Sequence, residues 1–530
     1  MYNSLHSVAV GIVILSIALS FILIKMNSST DQMASNGLLF ISNAAKTYKL
    51  CMKSSKLVKN ILYIKYVGGG ENNLSAISKQ IVNVYSKTAT QCSNLDIRLM
   101  LKPLEGNQKI NTNYGIDLIL YDSSIGNQDL KQVVCNLKSG CQLQSIESEN
   151  DIQSSHNEPL KTYEYVALGG TFDRLHNGHK ILLSQAALRA TKHVTVGVTD
   201  VNMIKSKLLW ELIEPVEQRI KAVLDFLTDI NPDLEYNVLP IQDLYGPTKD
   251  DPRFQLIVVS EETQRGAVKI NEKRKENGLP PLDTHVIGLA QDEKHSSEEE
   301  AKLSSSNKRM RLLGSLLRPP QPNPNIPDTP YVIGLAGGIA SGKSCISEKL
   351  KLKGAAIVNC DIIAHDLYKP GLPLNRTLAE TFGSEIITAT GEVDRKKLGQ
   401  IVFSDKAQLD KLNQTVWSAI IVEARSRIKA LGEQGYKVVV MEAAVMIRAK
   451  WYHHCHQLWS VIVPPEEAIK RLQERNNLSE VEARQRLEAQ PTNSEQVAAA
   501  NIVFCPYWSY EFTQQQIDRA WEHLQQYIKE

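Results

Sequence analysis

At 530 residues the chain exceeds what one hydrophobic core usually organises, so two or three domains are expected, each large enough to bury a core of its own. Its 60 lysines and arginines nearly balance its 58 aspartates and glutamates, giving a formal charge of +2. That balance excludes a global field drawing the protein onto nucleic acid, so any anion binding must be local. Eight scattered cysteines without a CxxC pair argue for reduced thiols rather than a disulfide framework.

Val8 to Ile24 carries no charge and is close to the minimum length of a membrane-spanning helix. No lysine or arginine precedes it, against a cleaved signal peptide, whereas Lys25, Lys46, Lys49, Lys53, Lys56 and Lys59 follow. The positive-inside rule then leaves the bulk of the chain cytosolic, so residues 1–29 are expected to form an uncleaved hydrophobic anchor helix. A short buried or interfacial helix is the alternative. In residues 30–158 the apolar runs Asn60–Val67 and Ile116–Tyr121 have strand length between Gly-, Asn- and Ser-rich breaks. These suggest a small α/β unit with no chemical motif. Glu147 to Pro159 reads as a polar surface linker.

Tyr163 to Gly170 is an apolar run ending in Gly169-Gly170, and helical periodicity resumes at Gly178, so TFDRLHNGH is expected to be a strand-to-helix turn. The helix entrance there points main-chain N–H groups at whatever lies above it, which suits phosphate. His176 and His179 flank the same spot and can donate to oxygens of a phosphorus centre under attack. Against this stands a chance HxxH pair at a helix start.

GGTFDRLHNGH resembles the signature of phosphopantetheine adenylyltransferases within the HxGH nucleotidyltransferase superfamily. Lys205 and Lys207, Arg219, the block Val258–Gly266 and the serine run before Arg309 and Arg311 match that family in order and spacing. The resemblance implies that Thr171 helps hold the reacting phosphate and that His179, with His176, stabilises the α-phosphate in the transition state. It further implies that Lys207, chosen over Lys205, pairs with phosphate charge, and that Ser304, Ser305 and Ser306 bind ATP along with Gly169, Gly170 and Arg265. Arg219 and Arg265 read equally well as solvated surface arginines. Ser296, Ser297 and Glu298–Glu300 read as an exposed acidic loop.

Arg318 to Pro330 is proline-dense and reads as a semi-rigid spacer that separates two independently folding blocks. After it, the strand-like YVIGL runs directly into AGGIASGKS, a Walker A element in its strand-loop-helix setting. The main chain of Gly337, Gly338, Ile339, Ala340, Ser341 and Gly342 is expected to wrap phosphates, Lys343 to reach the β- and γ-phosphates, and Ser344 to ligate Mg²⁺. A second apolar strand, Ala355–Asn359, delivers Asp361 to the carboxyl end of a parallel sheet. A carboxylate there can accept a hydroxyl proton, hold Mg²⁺ through water, or merely cap the next helix.

This block resembles dephospho-CoA kinase from the P-loop through CDIIAHDLY and GEVDRKKLGQIVFSDKAQLDKLN. The resemblance implies that Asp361 is the catalytic base, with His365 one turn on, and that KRLQERNNLSEVEARQRLEAQ is a mobile lid with Arg475, Arg486 and Gln490 at its phosphate-closing places. Two departures concern substrate positioning: Trp417-Ser418 stands where many members have His-Pro, and the segment Glu442 to Arg448 lengthens one carboxylate and reverses one charge. A zinc reading of His453, His454, Cys455 and His456 is disfavoured, because adjacent residues cannot all face one ion.

The expected fold class is therefore α/β: a hydrophobic N-terminal helix (1–29), a region of unknown role (30–158), a Rossmann-like nucleotidyltransferase domain (159–318), a linker (319–330) and a P-loop kinase domain with parallel sheet and helical lid (331–530). The two resemblances stand in the order of the bifunctional coenzyme A synthases. They imply ATP, 4′-phosphopantetheine and dephospho-CoA as partners and Mg²⁺ as cofactor. The charge balance speaks against nucleic acid, and the hydrophobic run leaves the chain, read as a monomer, on the cytoplasmic face of a membrane such as the mitochondrial outer membrane, or otherwise in the cytoplasm. A different HxGH transferase joined to a nucleoside kinase, or a membrane-held nucleotide-binding scaffold with an inactive half, are the alternatives.

Overall fold

The structure, a computed structural model, describes residues 33–67, 74–92, 94–102, 104, 108–125, 129–147, 160–403 and 405–528. The expected anchor and residues 148–159 of the polar linker lie outside them. Among the described residues no helix is long and apolar enough to cross a membrane.

Strands of three to ten residues, most of them apolar, form three five-stranded, all-parallel sheets. In the first, β1 (Ala34–Ile41), β2 (Val58–Tyr66), β3 (Asp96–Leu99), β4 (Ile116–Asp122) and β5 (Leu137–Ile146) stand in the order β3-β2-β1-β4-β5. In the second, β6 (Tyr163–Gly170), β7 (Ala190–Thr199), β8 (Glu235–Ile241), β9 (Leu256–Ser260) and β10 (Asp283–Ile287) stand as β10-β9-β6-β7-β8. Read from its other edge this is the same pattern. The third differs: β11 (Tyr331–Gly337), β12 (Ala356–Asn359), β13 (Val438–Glu442), β14 (Gln457–Val461) and β15 (Ile502–Phe504) are ordered β12-β13-β11-β14-β15, with the third strand inserted beside the first. Parallel pairing demands crossover connections, and the helices supplying them cover both sheet faces. In each sheet the strand order reverses beside the first strand, the place where open α/β sheets bind ligands.

The described chain forms two compact units. The first comprises residues up to 206, 214–295 and 300–305; the second comprises 207–213, 296–299 and 306 onward. In the first unit the two sheets share a continuous core, in which Leu39, Ile81, Tyr85 and Leu99 join Leu183, Val194 and Phe226. In the second unit strand alternation divides the core by face. Val332, Val439 and Leu458 belong to one cluster with Ile363 and Ile420, while their neighbours Ile333, Val440 and Trp459 belong to another with Ile346 and Ile517. The proline-rich stretch carries neither helix nor strand after Arg318, whose guanidinium donates to Val497 O (2.7 Å) and Ala500 O (2.8 Å) within the second unit.

Candidate active sites

In the first unit β6 ends at Gly170, and the chain turns through Phe172 and Arg174, both at positive φ (50° and 48°). His176 is extended (φ −113°, ψ 169°) and caps the helix Asn177–Arg189 by accepting the His179 N–H at its Nδ1, 3.4 Å away. A neutral imidazole accepting at Nδ1 carries its proton on Nε2, so the ring offers a donor from that nitrogen. The His176 and His179 rings stack at 3.7 Å between centroids and 21° between planes, with the buried Phe172 ring 5.3 Å from His179. Glycine between them leaves room for the stack: a Cβ at Gly178 would lie 3.1 Å from the His176 ring, close enough to press on it. The two histidines that the sequence singled out are thus brought together beside Gly169-Gly170.

Thr171 accepts at its hydroxyl from Thr199 Oγ1 (3.1 Å), and its carbonyl accepts from Arg219 (2.7 Å). Arg219 is 1% exposed and also donates to Thr199 O (3.0 Å) and Glu214 O (2.8 Å). Burial lowers its pKa, the surrounding carboxylates opposing. It is a buried brace of two strand ends, which corrects the reading of it as a solvated arginine. Ser305 begins the helix Ser305–Leu312, and its hydroxyl donates to Asp173 O (2.9 Å), joining the serine run to the turn. Ser304 is half-buried, and Arg265 is exposed at the start of the helix Gln264–Glu276. Lys207 and Ser306 belong to the second unit and are not among the groups the first unit assembles. There Lys207 is exposed, and Ser306 Oγ accepts from the buried Arg309 at 3.3 Å. The acidic loop is not wholly exposed: the Glu299 carboxylate is 4% exposed and takes both Nε and NH2 of Arg311, at 2.8 and 2.7 Å.

In the second unit every residue of β11 is buried, and the chain leaves it through a loop in which Ala340 (φ 58°) and Gly342 (φ 94°) are left-handed. The helix Lys343–Leu352 starts there. Lys343 Nζ reaches back to Gly337 O (2.8 Å) and Gly338 O (3.1 Å), curling the loop around its own ammonium. Burial lowers the Lys343 pKa, opposed by Glu442 and Asp361 and reinforced by Arg475, so all three charges lie within its field. Ser341 is buried within the loop, and Ser344 is exposed on the first turn of the helix.

Asp361 is exposed in the first turn of the helix Cys360–Leu367, but it is not the cap. Asn359 takes that role, its Oδ1 accepting from Asp361 N (2.9 Å) and Ile362 N (3.1 Å), which leaves the Asp361 carboxylate to other work. Glu442, 5% exposed at the end of β13, accepts from Ser347 Oγ at 2.8 Å. Ser344, Asp361 and Glu442 are hard oxygen donors of the kind Mg²⁺ takes, one or two at a time, with phosphate and water completing the shell. Among the described residues no cluster of three His, Cys, Asp or Glu side chains could hold a metal by itself. Cys455 is buried and His456 Nδ1 accepts Val332 N–H (2.8 Å), so these two side chains are engaged with the core.

The stretch expected to act as a lid forms the helices Pro465–Asn476 and Glu480–Glu488. Gln490 Oε1 accepts the Ile339 N–H at 2.6 Å. Sequence reasoning passed over Arg471: it donates to Ala340 O (3.3 Å) and Pro506 O (2.8 Å) and pairs with Glu467 (2.7 Å). The available signal was its place one turn before Arg475, which is itself exposed. Arg448, also exposed, lies over the Trp417 ring at 6.0 Å, so the two departures from the kinase pattern meet in space.

These geometries give two candidate sites, a histidine-flanked helix entrance and a lysine-strapped loop of the P-loop kind, both of a class suited to phosphate. Comparison with known proteins sharpens both. Residues 331–505 match the family model described as dephospho-CoA kinase, and residues 167–311 match the one described as cytidylyltransferase-like. A dephospho-CoA kinase of Carboxydothermus hydrogenoformans is 40% identical over 186 residues, 35% of this chain and 90% of that protein. One of Geobacter sulfurreducens is 35% identical over 190 residues, 36% of this chain and 96% of that one. The chain belongs, through this half, to the dephospho-CoA kinase family. A phosphopantetheine adenylyltransferase of Saccharomyces cerevisiae is 37% identical over 177 residues, 33% of this chain and 55% of that protein.

Proposed function

We propose that the chain performs the last two steps of coenzyme A synthesis. At the first site a phosphate oxygen of 4′-phosphopantetheine attacks the α-phosphorus of ATP, the bond to the β-phosphate breaks, and dephospho-CoA and pyrophosphate form. His179 and His176 donate to the phosphoryl oxygens as charge builds, with Thr171 holding the reacting phosphate and Gly169, Gly170, Arg265, Ser304 and Ser305 binding ATP. No covalent intermediate is needed, and positioning carries the rate. At the second site the ribose 3′-hydroxyl of dephospho-CoA attacks the γ-phosphorus, Asp361 accepts its proton, and CoA and ADP leave. Residues 337–344 cradle the triphosphate there, and Arg475 closes on it. Mg²⁺, held by Ser344 and through water by Asp361, would supply charge neutralisation between phosphates.

The observation that carries this reading is the stacked His176–His179 pair at the end of β6, in a chain whose other half is of the dephospho-CoA kinase family. The reading divides the chain into an adenylyltransferase domain (159–318) and a kinase domain (331–530) joined by a spacer that keeps product near the next site. The uncharged run Val8–Ile24 with lysines following supports a single-chain enzyme tethered to the cytoplasmic face of a membrane. Purified protein given 4′-phosphopantetheine, ATP and Mg²⁺ should release pyrophosphate and then yield CoA and ADP. His179→Ala should abolish the first product and Lys343→Ala only the second. ATP binding without either product would overturn the proposal and leave a nucleotide-binding scaffold.

A further inference from the structure

We propose that residues 34–146 form a buttress that sets the position of the histidine pair, with Asn177 and Lys180 as positioning residues. The inference rests on the adenylyl-transfer reading of the first site. The two histidines occupy the entrance of the helix Asn177–Arg189, and the residue after each reaches into the N-terminal sheet unit. Asn177, next to His176, donates from Nδ2 to Tyr85 O (2.7 Å) and Thr88 Oγ1 (3.4 Å) on the helix Leu74–Gln91. Lys180, next to His179 and 5% exposed, donates to Asp96 Oδ1 (2.5 Å) and Ile97 O (3.1 Å) on β3, with the rings of Tyr85 and Phe226 5.9 Å from its ammonium. A buried ammonium is tolerated only with such partners, so the helix start is tied to that strand.

The tie continues to a second helix. Asp96 also accepts from Arg98 Nε (3.0 Å) and NH2 (2.9 Å). Arg98 pairs in turn with Asp225 (2.9 Å) and Asp229, the latter also bonded by Tyr63 Oη (2.8 Å) and Asn113 N (2.7 Å). Asp225 and Asp229 lie on the helix Val216–Ile230, whose first turns carry Arg219, the brace of the Thr171 and Thr199 carbonyls. One short strand therefore fixes both helices that frame the turn after β6. Burial alone would raise the Asp96 carboxyl, but Lys180 and Arg98 outweigh it and hold it below the usual carboxylate range. A bland docking contact exists for comparison farther along the same helix: Ser78 Oγ donates to Gln185 Oε1 at 2.8 Å, and Gln185 Nε2 to Ser78 O at 2.8 Å.

The test uses the full chain and steady-state pyrophosphate release from ATP and 4′-phosphopantetheine, with phosphorylation of supplied dephospho-CoA as internal reference. Asn177→Ala should lower kcat for pyrophosphate release about tenfold or more while KM for ATP and the thermal midpoint stay near wild type, because a displacement of about 1 Å can cost ~100-fold. Lys180→Met should fall further, and Lys180→Arg should recover part of the rate. Ser78→Ala should match wild type, and dephospho-CoA phosphorylation should be unchanged in all four. Wild-type turnover with Asn177→Ala equally fast, or Ser78→Ala equally slow, would overturn the buttress alone. A wild-type chain releasing no pyrophosphate would overturn the adenylyl-transfer reading, and the buttress with it.

Discussion

At the scale of single residues, the glycine of the HxGH motif shows how sterics become chemistry. The His176 ring leans over Gly178, where an added Cβ would sit 3.1 Å from the ring atoms. Gly178→Ala should therefore push the ring out of its stack and lower adenylyl transfer by about tenfold or more. Phosphorylation of dephospho-CoA, measured in the same preparation, should not change. Placement was legible where a motif marked it: the histidine pair and Lys343 stand at helix starts just beyond the strands that their flanking apolar runs announced. Arginines were not legible in this way. Arg219 lies in a run of charged and polar residues and looks like a solvated helix face, yet its guanidinium is buried, because two strand ends from sequence-distant places converge on it. Arg471 was overlooked for the same reason: its partners, Ala340 O and Pro506 O, are remote along the chain.

At the scale of elements, the helix Cys360–Leu367 has a separate residue for each task, Asn359 closing its amino end and Asp361 standing exposed in its first turn. Removing the cap with Asn359→Ala should cost about 1 kcal/mol of local stability. Kinase kcat should fall as Asp361 loses its fixed approach, with pyrophosphate release at the first site unchanged. Equal loss in both activities would indicate a global effect instead. Strands were the most readable elements, because an all-parallel sheet can bury both faces and so writes apolar runs such as IDLILY and YVIGL. Strand order was not readable, since nothing within β13 says that it lies between β11 and β12. The N-terminal runs gave their strands but no hint of role, because that role is expressed in contacts made 84 and 131 residues later, Lys180 with Asp96 and Arg98 with Asp229.

At the scale of the whole molecule, stability should depend on pH through groups that the sequence lists as ordinary. His285, on β10, is pushed down to about 4, by burial and then by Arg189. Its folded pKa lies below the unfolded value of about 6.5, so the unfolded chain takes up the proton first. Its contribution is intact above about pH 6.5 and is lost as pH falls toward 4. The thermal midpoint of the first unit should drop across that window, and His285→Gln should flatten the drop. An unchanged pH slope in that variant would count against a neutral imidazole there. The depressed Asp96 carboxyl acts lower still: what it contributes is present above about pH 4 and disappears beneath it.

The ties between β3 and the helices framing the histidine turn also constrain the order of events at the ribosome. Asp96 emerges 84 residues before Lys180, and Arg98 131 residues before Asp229. At roughly 5–20 residues per second, β3 waits several seconds or more for its counter-charges to be translated. Those side-chain ties thus form only once the helices carrying Lys180 and Asp229 have left the exit tunnel, whereas the main chain of β3 can pair with β2 beforehand.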